Sequence, residues 1–356
     1  MRLTGLDGLR AISILMVLVA HVAEKQPWAH FGGFGVEVFF TISGFLITYL
    51  LCSEDSKNGV ISLRRFYIRR ALRILPPAFA FLAVVFALSL FHLADVRPGD
   101  VFYSAAFVRN ILGSGGHTGH FWSLAIEEQF YLIWPTVFLL LGDNRKRLFF
   151  IAGLIIIFPA WYYYRFHHGA NSMAFDVRCV FLLAGCALAL ARRDDWLSSW
   201  ISAPWSRHYS VPLLATAAIC FTFGPYLPIG CLVGTISAIA VAAIINYSVQ
   251  RRGHILDWAP LVWIGQLSYS LYLWQQIFCW HSQIPWVGIF PINLLAAIAM
   301  AAGSFYLIEK PALSLRDRLM SDKRLSSESP ISAKEPSASL LILPQQLASC
   351  DQRPTE

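Results

Sequence analysis

Long apolar runs, broken by short polar intervals, dominate this chain of 356 residues. Ten runs approach the roughly 20 residues a helix needs to cross a bilayer core: 11–23, 34–52, 74–93, 121–141, 148–165, 176–191, 209–226, 229–248, 260–280 and 286–308. The runs at 11–23 and 176–191 are short, and are expected to extend into polar flanks that face the protein interior. The interval 94–120 is expected to be a long external loop, apolar enough from Val101 to Leu112 to dip into the membrane interface. No small-residue cleavage site follows the first run, so it is expected to be a span and not a removable signal peptide. After Arg324 the composition turns to Ser, Pro, Glu and Lys, with one apolar patch, Leu340–Leu343, too short to span. The pattern predicts an all-α, polytopic membrane helix bundle of about ten transmembrane helices over 1–324 and a mostly disordered tail over 325–356.

Composition agrees with a membrane solvent. Hydrophobic residues make up 56% of the chain and charged residues 14%, against about 25% charged in a soluble domain. The net charge of +7 does not form the stripe that nucleic acid requires, because the basic residues fall in bursts between apolar runs. With the N-terminus placed in the cytoplasm, 23 of the 28 Lys and Arg residues fall inside. Positive-inside orientation then puts both termini in the cytoplasm and the protein in the cell (inner or plasma) membrane. The seven cysteines form no CxxC metal pattern and no disulfide framework. No metal is expected.

Ionisable groups within apolar runs are candidates for function. Arg10 and His21 in the first run are eleven positions apart. At 3.6 residues per turn they share one helix face, roughly 16 Å apart along the axis, and Asp7 lies close to that face. Snorkelling of Arg10 to headgroups is the plainer reading. Glu37 opens the second run, while the neighbouring Ser43-Gly44 suits close helix packing. The stretch Arg64–Arg73 reads RRFYIRRALR and is expected in a cytoplasmic loop. It suits anionic lipid, or a phosphate site in which Arg69, Arg70 and Arg73 grip the anion bidentately. The fourth run places His120, Ser123, Glu127 and Tyr131 on one face, beside Trp122 and Glu128. One helix face cannot supply the convergence of a hydrolase triad. The ninth run carries Gln266, Tyr269, Tyr272, Gln275 and Gln276, a density that suggests a hydrated cavity. Glu309-Lys310-Pro311 is expected to close the tenth run at the inner surface.

These segments resemble, in order, the acyltransferase-3 family of membrane O-acyltransferases. The resemblance rests on Gly5–Ala11 followed by His21, Gly35–Ile47, Arg69–Pro76, His120–Pro135, Ser268–Trp274 and Glu309–Pro311. It implies a ten-helix enzyme that acylates sugars of surface polysaccharides, nodulation signals or macrolides. By resemblance, His21 is the catalytic residue, Arg10 is the required first-helix arginine, and Arg70 and Arg73 handle acyl-CoA. Many relatives carry an extra hydrolase-like domain, which is not expected here. Gln275 stands where relatives often have histidine, which suggests a different acceptor.

The expected activity is transfer of an acyl group, in the simplest case acetyl, from cytoplasmic acyl-CoA to a hydroxyl of a sugar-containing acceptor. An imidazole with its ordinary pKa of about 6.5 can take a hydroxyl proton at neutral pH. His21 would do so, with Glu37 or Glu127 orienting the ring. Direct transfer and an acyl-histidine relay both fit. Asp7, His120, Trp122, Ser123, Glu128, Tyr269, Tyr272 and Gln275 are expected to line the substrate cavity. The alternative is a sugar-lipid or glycan transporter that performs no acyl transfer.

Overall fold

In the computed structural model, the described residues are 4–22, 31–97, 99–113, 115–169, 171, 173–202, 230–250, 255–280 and 287–321. They form helices and connections, with no strand among them. In chain order these are α1 Thr4–Val22, α2 Phe31–Asn58, α3 Leu63–Leu90, α4 Asp100–Ala105, α5 Arg109–Leu112, α6 Phe121–Leu141, α7 Asn144–His167, α8 Phe175–Ala191, α9 Asp195–Ser202, α10 Gly230–Gln250, α11 Ala259–Cys279, α12 Ile292–Ser304 and α13 Lys310–Ser321. A π-helical turn over Phe305–Glu309 joins the last two.

Seven of the described helices are long and apolar enough to cross a membrane: α1, α2, α3, α6, α7, α10 and the α12–α13 rod. The chain is a multi-pass membrane protein. The runs at 176–191 and 260–280 are helical as α8 and α11 but fall outside that set. α8 has only 17 residues, and α11 is diluted by its Gln, Ser and Tyr residues. Both are central in the bundle, so neighbouring protein substitutes for lipid around them. The run at 209–226 and the tail 325–356 lie outside the described residues.

Burial has no polar-versus-apolar contrast here, because lipid is as greasy as the core. In α1, Leu9, Ile14 and Val17 are buried while Ile12, Leu15 and Val19 face outward. α7 turns Phe149, Ile156 and Ile157 outward. Small residues choose the contacts instead. A side-chain carbon on Gly44 of α2 would collide with the Leu182 carbonyl oxygen of α8, and one on Gly185 of α8 with that of Thr41. The two backbones touch at this crossing. A side-chain carbon on Gly265 of α11 would likewise collide with the Asp7 carbonyl oxygen of α1, so the bare glycine lets α1 seat against α11.

Two expectations need correction. The arginine stretch is not a loop. Ser62 caps the helix by accepting from the Arg65 N–H, and α3 runs unbroken through Arg64–Arg73, whose straight-chain residues favour helix. Nor is 94–120 an open loop. It folds as α4, α5 and a 3₁₀ turn over Gly116–Thr118, forming a cap over one end of the bundle. Buried polar pairs hold it: Arg109 to Asp100 at 2.7 Å and to the Gly115 carbonyl at 2.8 Å, with Asn110 against Gln129 of α6.

Candidate active site

Two helices run the length of the site in opposite directions. α1 goes from Asp7 and Arg10 to His21. α6 goes from His120 through Ser123 and Glu127 to Tyr131. Glu127 feels the charge of Arg10, and His120 that of His21, so the two helices match end to end. One end of the site is built of arginines, the other of imidazoles beneath the cap.

The arginine end encloses a cavity of about 860 Å³. α1 contributes Asp7 and Arg10, and α3 contributes Arg69, Arg70 and Arg73. Glu127 and Tyr131 come from α6, Tyr269 from α11 and Glu309 from the π-helical turn. Arg69 is held by Glu54 at 2.5 Å. Arg10, Arg70 and Arg73 form no ion pair among the described residues. Arg70 lies over the Tyr131 ring at 4.5 Å. Arg73 sits in the field of both other arginines and of Glu309, while Arg10 Nε is buried without a hydrogen-bond partner. Three like charges gathered in one recess without ion-pairing carboxylates form a seat for a polyanion.

The carboxylates are tied down by hydroxyls. Ser43 donates to Glu127 at 2.5 Å, and Ser270 donates to the buried Glu309 at 3.0 Å. Glu128 keeps one buried oxygen, Oε1, without a partner. The Tyr269 hydroxyl donates to the Ile74 carbonyl at 2.9 Å, bracing α11 against α3.

At the other end, His21 Nδ1 lies 2.9 Å from the Val17 carbonyl oxygen, and its ring meets Trp280 edge-on at 5.7 Å. The carboxylates expected to orient this ring are engaged elsewhere. Glu127 binds Ser43. Glu37 is buried in an ion pair with Arg178 of α8 at 2.8 Å, and Arg178 lies 5.8 Å from the Trp122 ring. Glu37 and Trp122 therefore belong to a brace between α2, α6 and α8, and neither lines the cavity. The Ser123 and Tyr272 hydroxyls lie 2.6 Å apart, each 3.1 Å from the His120 carbonyl oxygen. Ser123 thus serves the backbone of His120 and not its ring. Gln275 is fully buried, with its amide nitrogen 3.5 Å from the Tyr272 carbonyl and 3.3 Å from Gln276 Oε1.

The structure adds participants that the sequence reading passed over. Ser43 looked like packing, yet it holds Glu127. Glu309 looked like a helix end at the surface, yet the rod continues to Ser321 and buries it. Its signal was present: Pro311 lacks the N–H of a regular turn, and Lys310 N–H bonds back to Phe305 instead. Such wide turns often accompany functional sites. Arg178 was a lone cation inside an apolar run.

The family model described as an acyltransferase domain matches residues 3–309. The peptidoglycan O-acetyltransferase OatA of Listeria monocytogenes is 31% identical over 86% of this chain and 54% of its own length. The O-acetyltransferase OatA of Staphylococcus aureus is 29% identical over 87% of this chain and 57% of its own. The chain thus spans about half the length of these relatives. No solved structure matches it.

Proposed function

The chain belongs to the acyltransferase-3 family of membrane acyltransferases, and from that premise we propose that it is an O-acetyltransferase using acetyl-CoA. The acceptor is a hydroxyl of a sugar-containing envelope polymer, with a peptidoglycan-type glycan as first candidate on the strength of the relatives. The observation that carries this reading is the recess of Arg10, Arg70 and Arg73, whose walls include α1 and α6, the helices that carry His21 and His120. The arginine end faces the cytoplasm, where acyl-CoA is made, and the cap end faces outward to the acceptor.

In this reading Arg10, Arg70 and Arg73 hold the phosphates of the donor. Acetyl-CoA supplies an activated thioester carbonyl. His21 Nδ1 donates to the Val17 carbonyl, which places the ring lone pair on Nε2. Nε2 removes the proton from the acceptor hydroxyl. The Val17 carbonyl does the orienting work that a carboxylate does elsewhere. Ser43 holds Glu127 between the arginines and the imidazoles.

The test uses membranes holding equal amounts of wild type or His21→Ala, given radiolabelled acetyl-CoA and peptidoglycan fragments. Wild type is expected to label the fragments, and His21→Ala to lose about 10²–10⁴-fold of that rate, the usual worth of a general base. A variant retaining a tenth of the rate would remove His21 from the chemistry. Label staying wholly on CoA with wild type would remove the function.

A further inference from the structure

His120 carries two unsatisfied polar atoms at the imidazole end. It is 5% exposed, and among the described residues neither Nδ1 nor Nε2 has a hydrogen-bond partner. Rings surround it: Phe121 at 5.0 Å, Phe81 at 5.2 Å and Tyr272 at 5.4 Å. The nearest hydroxyls, on Ser123 and Tyr272, are directed to its backbone carbonyl. Leaving a buried donor or acceptor without a partner is destabilising. A phenylalanine would fill this aromatic cage without that cost. A polar ring in such a place points to a polar group that arrives.

Position identifies that group. Leu124 lines the arginine cavity. His120 lies four residues before it on α6, about one helical turn, or roughly 6 Å, deeper. A donor anchored by its phosphates on Arg10, Arg70 and Arg73 presents its far end, the thioester, toward this roof. The polar atom of that end is the carbonyl oxygen, an acceptor only. A neutral imidazole has one N–H to offer.

Building on the function proposed above, we propose that His120 is a catalytic residue that donates a hydrogen bond to the carbonyl oxygen of the transferred acyl group. As the acceptor oxygen adds to the carbonyl carbon, giving its proton to His21, the C=O π pair moves onto the carbonyl oxygen and the His120 N–H stabilises the charge there. When the pair returns, the C–S bond breaks and CoA leaves as a thiolate. His120 neither gains nor loses a proton, so His21 and His120 divide the work between base and oxyanion donor. Removing one oxyanion donor elsewhere costs about 10²–10³-fold in kcat, and the water-excluding cage here suits such a role.

The experiment compares wild type, His120→Phe and His120→Gln in detergent. Isotope-edited infrared spectra of bound acetyl-CoA, labelled at the carbonyl carbon, are recorded beside turnover. Wild type is expected to lower the carbonyl stretch relative to free acetyl-CoA. His120→Phe is expected to abolish that shift and lower kcat about 10²-fold or more. It should retain acetyl-CoA affinity and a thermal midpoint no lower than wild type. His120→Gln, which keeps an N–H, is expected to restore part of both. An unchanged shift in His120→Phe, or a kcat within threefold of wild type, overturns the assignment and leaves an ordered water as the partner of the ring. A wild type that shows the His120-dependent shift yet acetylates no glycan overturns the acceptor reading and leaves the carbonyl contact standing. A wild type that binds no acetyl-CoA overturns the donor reading and this assignment with it.

Discussion

Arg69, Arg70 and Arg73 carry the same charge on the same helix, and their surroundings divide their roles. Glu54 occupies Arg69, whereas Arg70 and Arg73 face the cavity without an ion pair among the described residues. If the recess binds phosphate, Arg70→Ala and Arg73→Ala each remove a charge-assisted hydrogen bond worth about 1.5–3 kcal/mol. Acetyl-CoA binding should then weaken about 10–100-fold, measured by calorimetry in detergent. Arg145→Ala is the control, since that side chain is 80% exposed and sits 3.9 Å from Asp194, away from the cavity. It should change affinity less than twofold. Equal small losses at all three positions would return the arginines to a general attraction for anionic lipid.

At the scale of elements, the cap matters because it ends where α6 begins. Asp100 and Arg109 are 5% and 3% exposed, and their ion pair closes α4 on α5 while Arg109 also holds Gly115, five residues before His120. Arg109→Met leaves Asp100 buried without its partner, which typically costs 3–5 kcal/mol. A large fall in the thermal midpoint is expected. The double variant Asp100→Leu with Arg109→Met removes both charges and should recover most of it, because well-packed apolar pairs replace buried ion pairs at little cost. Failure to recover would mean that the hydrogen bond to Gly115, and not charge pairing, holds the cap.

At the scale of the whole molecule, contacts sort the connections by end. Arg193 reaches Ser53 and Ser56, and Arg147 lies 4.0 Å from Asp55, so these positions share one end. Asn171 donates to the Asn110 carbonyl at 2.9 Å, which joins the α7–α8 connection to the cap at the other. α4 and α5, with six and four residues, are too short to cross. Reporter fusions after Ser53 and after Lys146 are therefore expected to agree with each other and read cytoplasmic. Fusions at Gly115 and His168 should read external. Agreement within each pair tests the fold, and the sign tests the charge argument. A cytoplasmic reading at Gly115 alone would mean that Val101–Leu112 spans.

Solvent explains how much could be read in advance. The helical class, the apolar runs and the polar stripes of α1 and α6 were legible because a bilayer demands long apolar helices, and because 3.6-residue periodicity fixes which side chains share a face. Arg10, His21, His120 and Glu127 could be singled out on those terms alone. Partners could not. In a chain apolar on both its buried and its lipid faces, hydropathy does not say which helices touch. Gly44, Gly185 and Gly265 decide that, through backbone approaches that no periodicity reports. Tertiary packing alone gave Glu37 to Arg178 and Glu127 to Ser43. It also turned an expected loop into a cap and carried Glu309 from a surface helix end into the cavity wall. Only packing decided that the His120 ring has no hydrogen-bond partner among the described residues, since hydrogen-bond satisfaction depends on every neighbour in three dimensions and on none in particular along the chain.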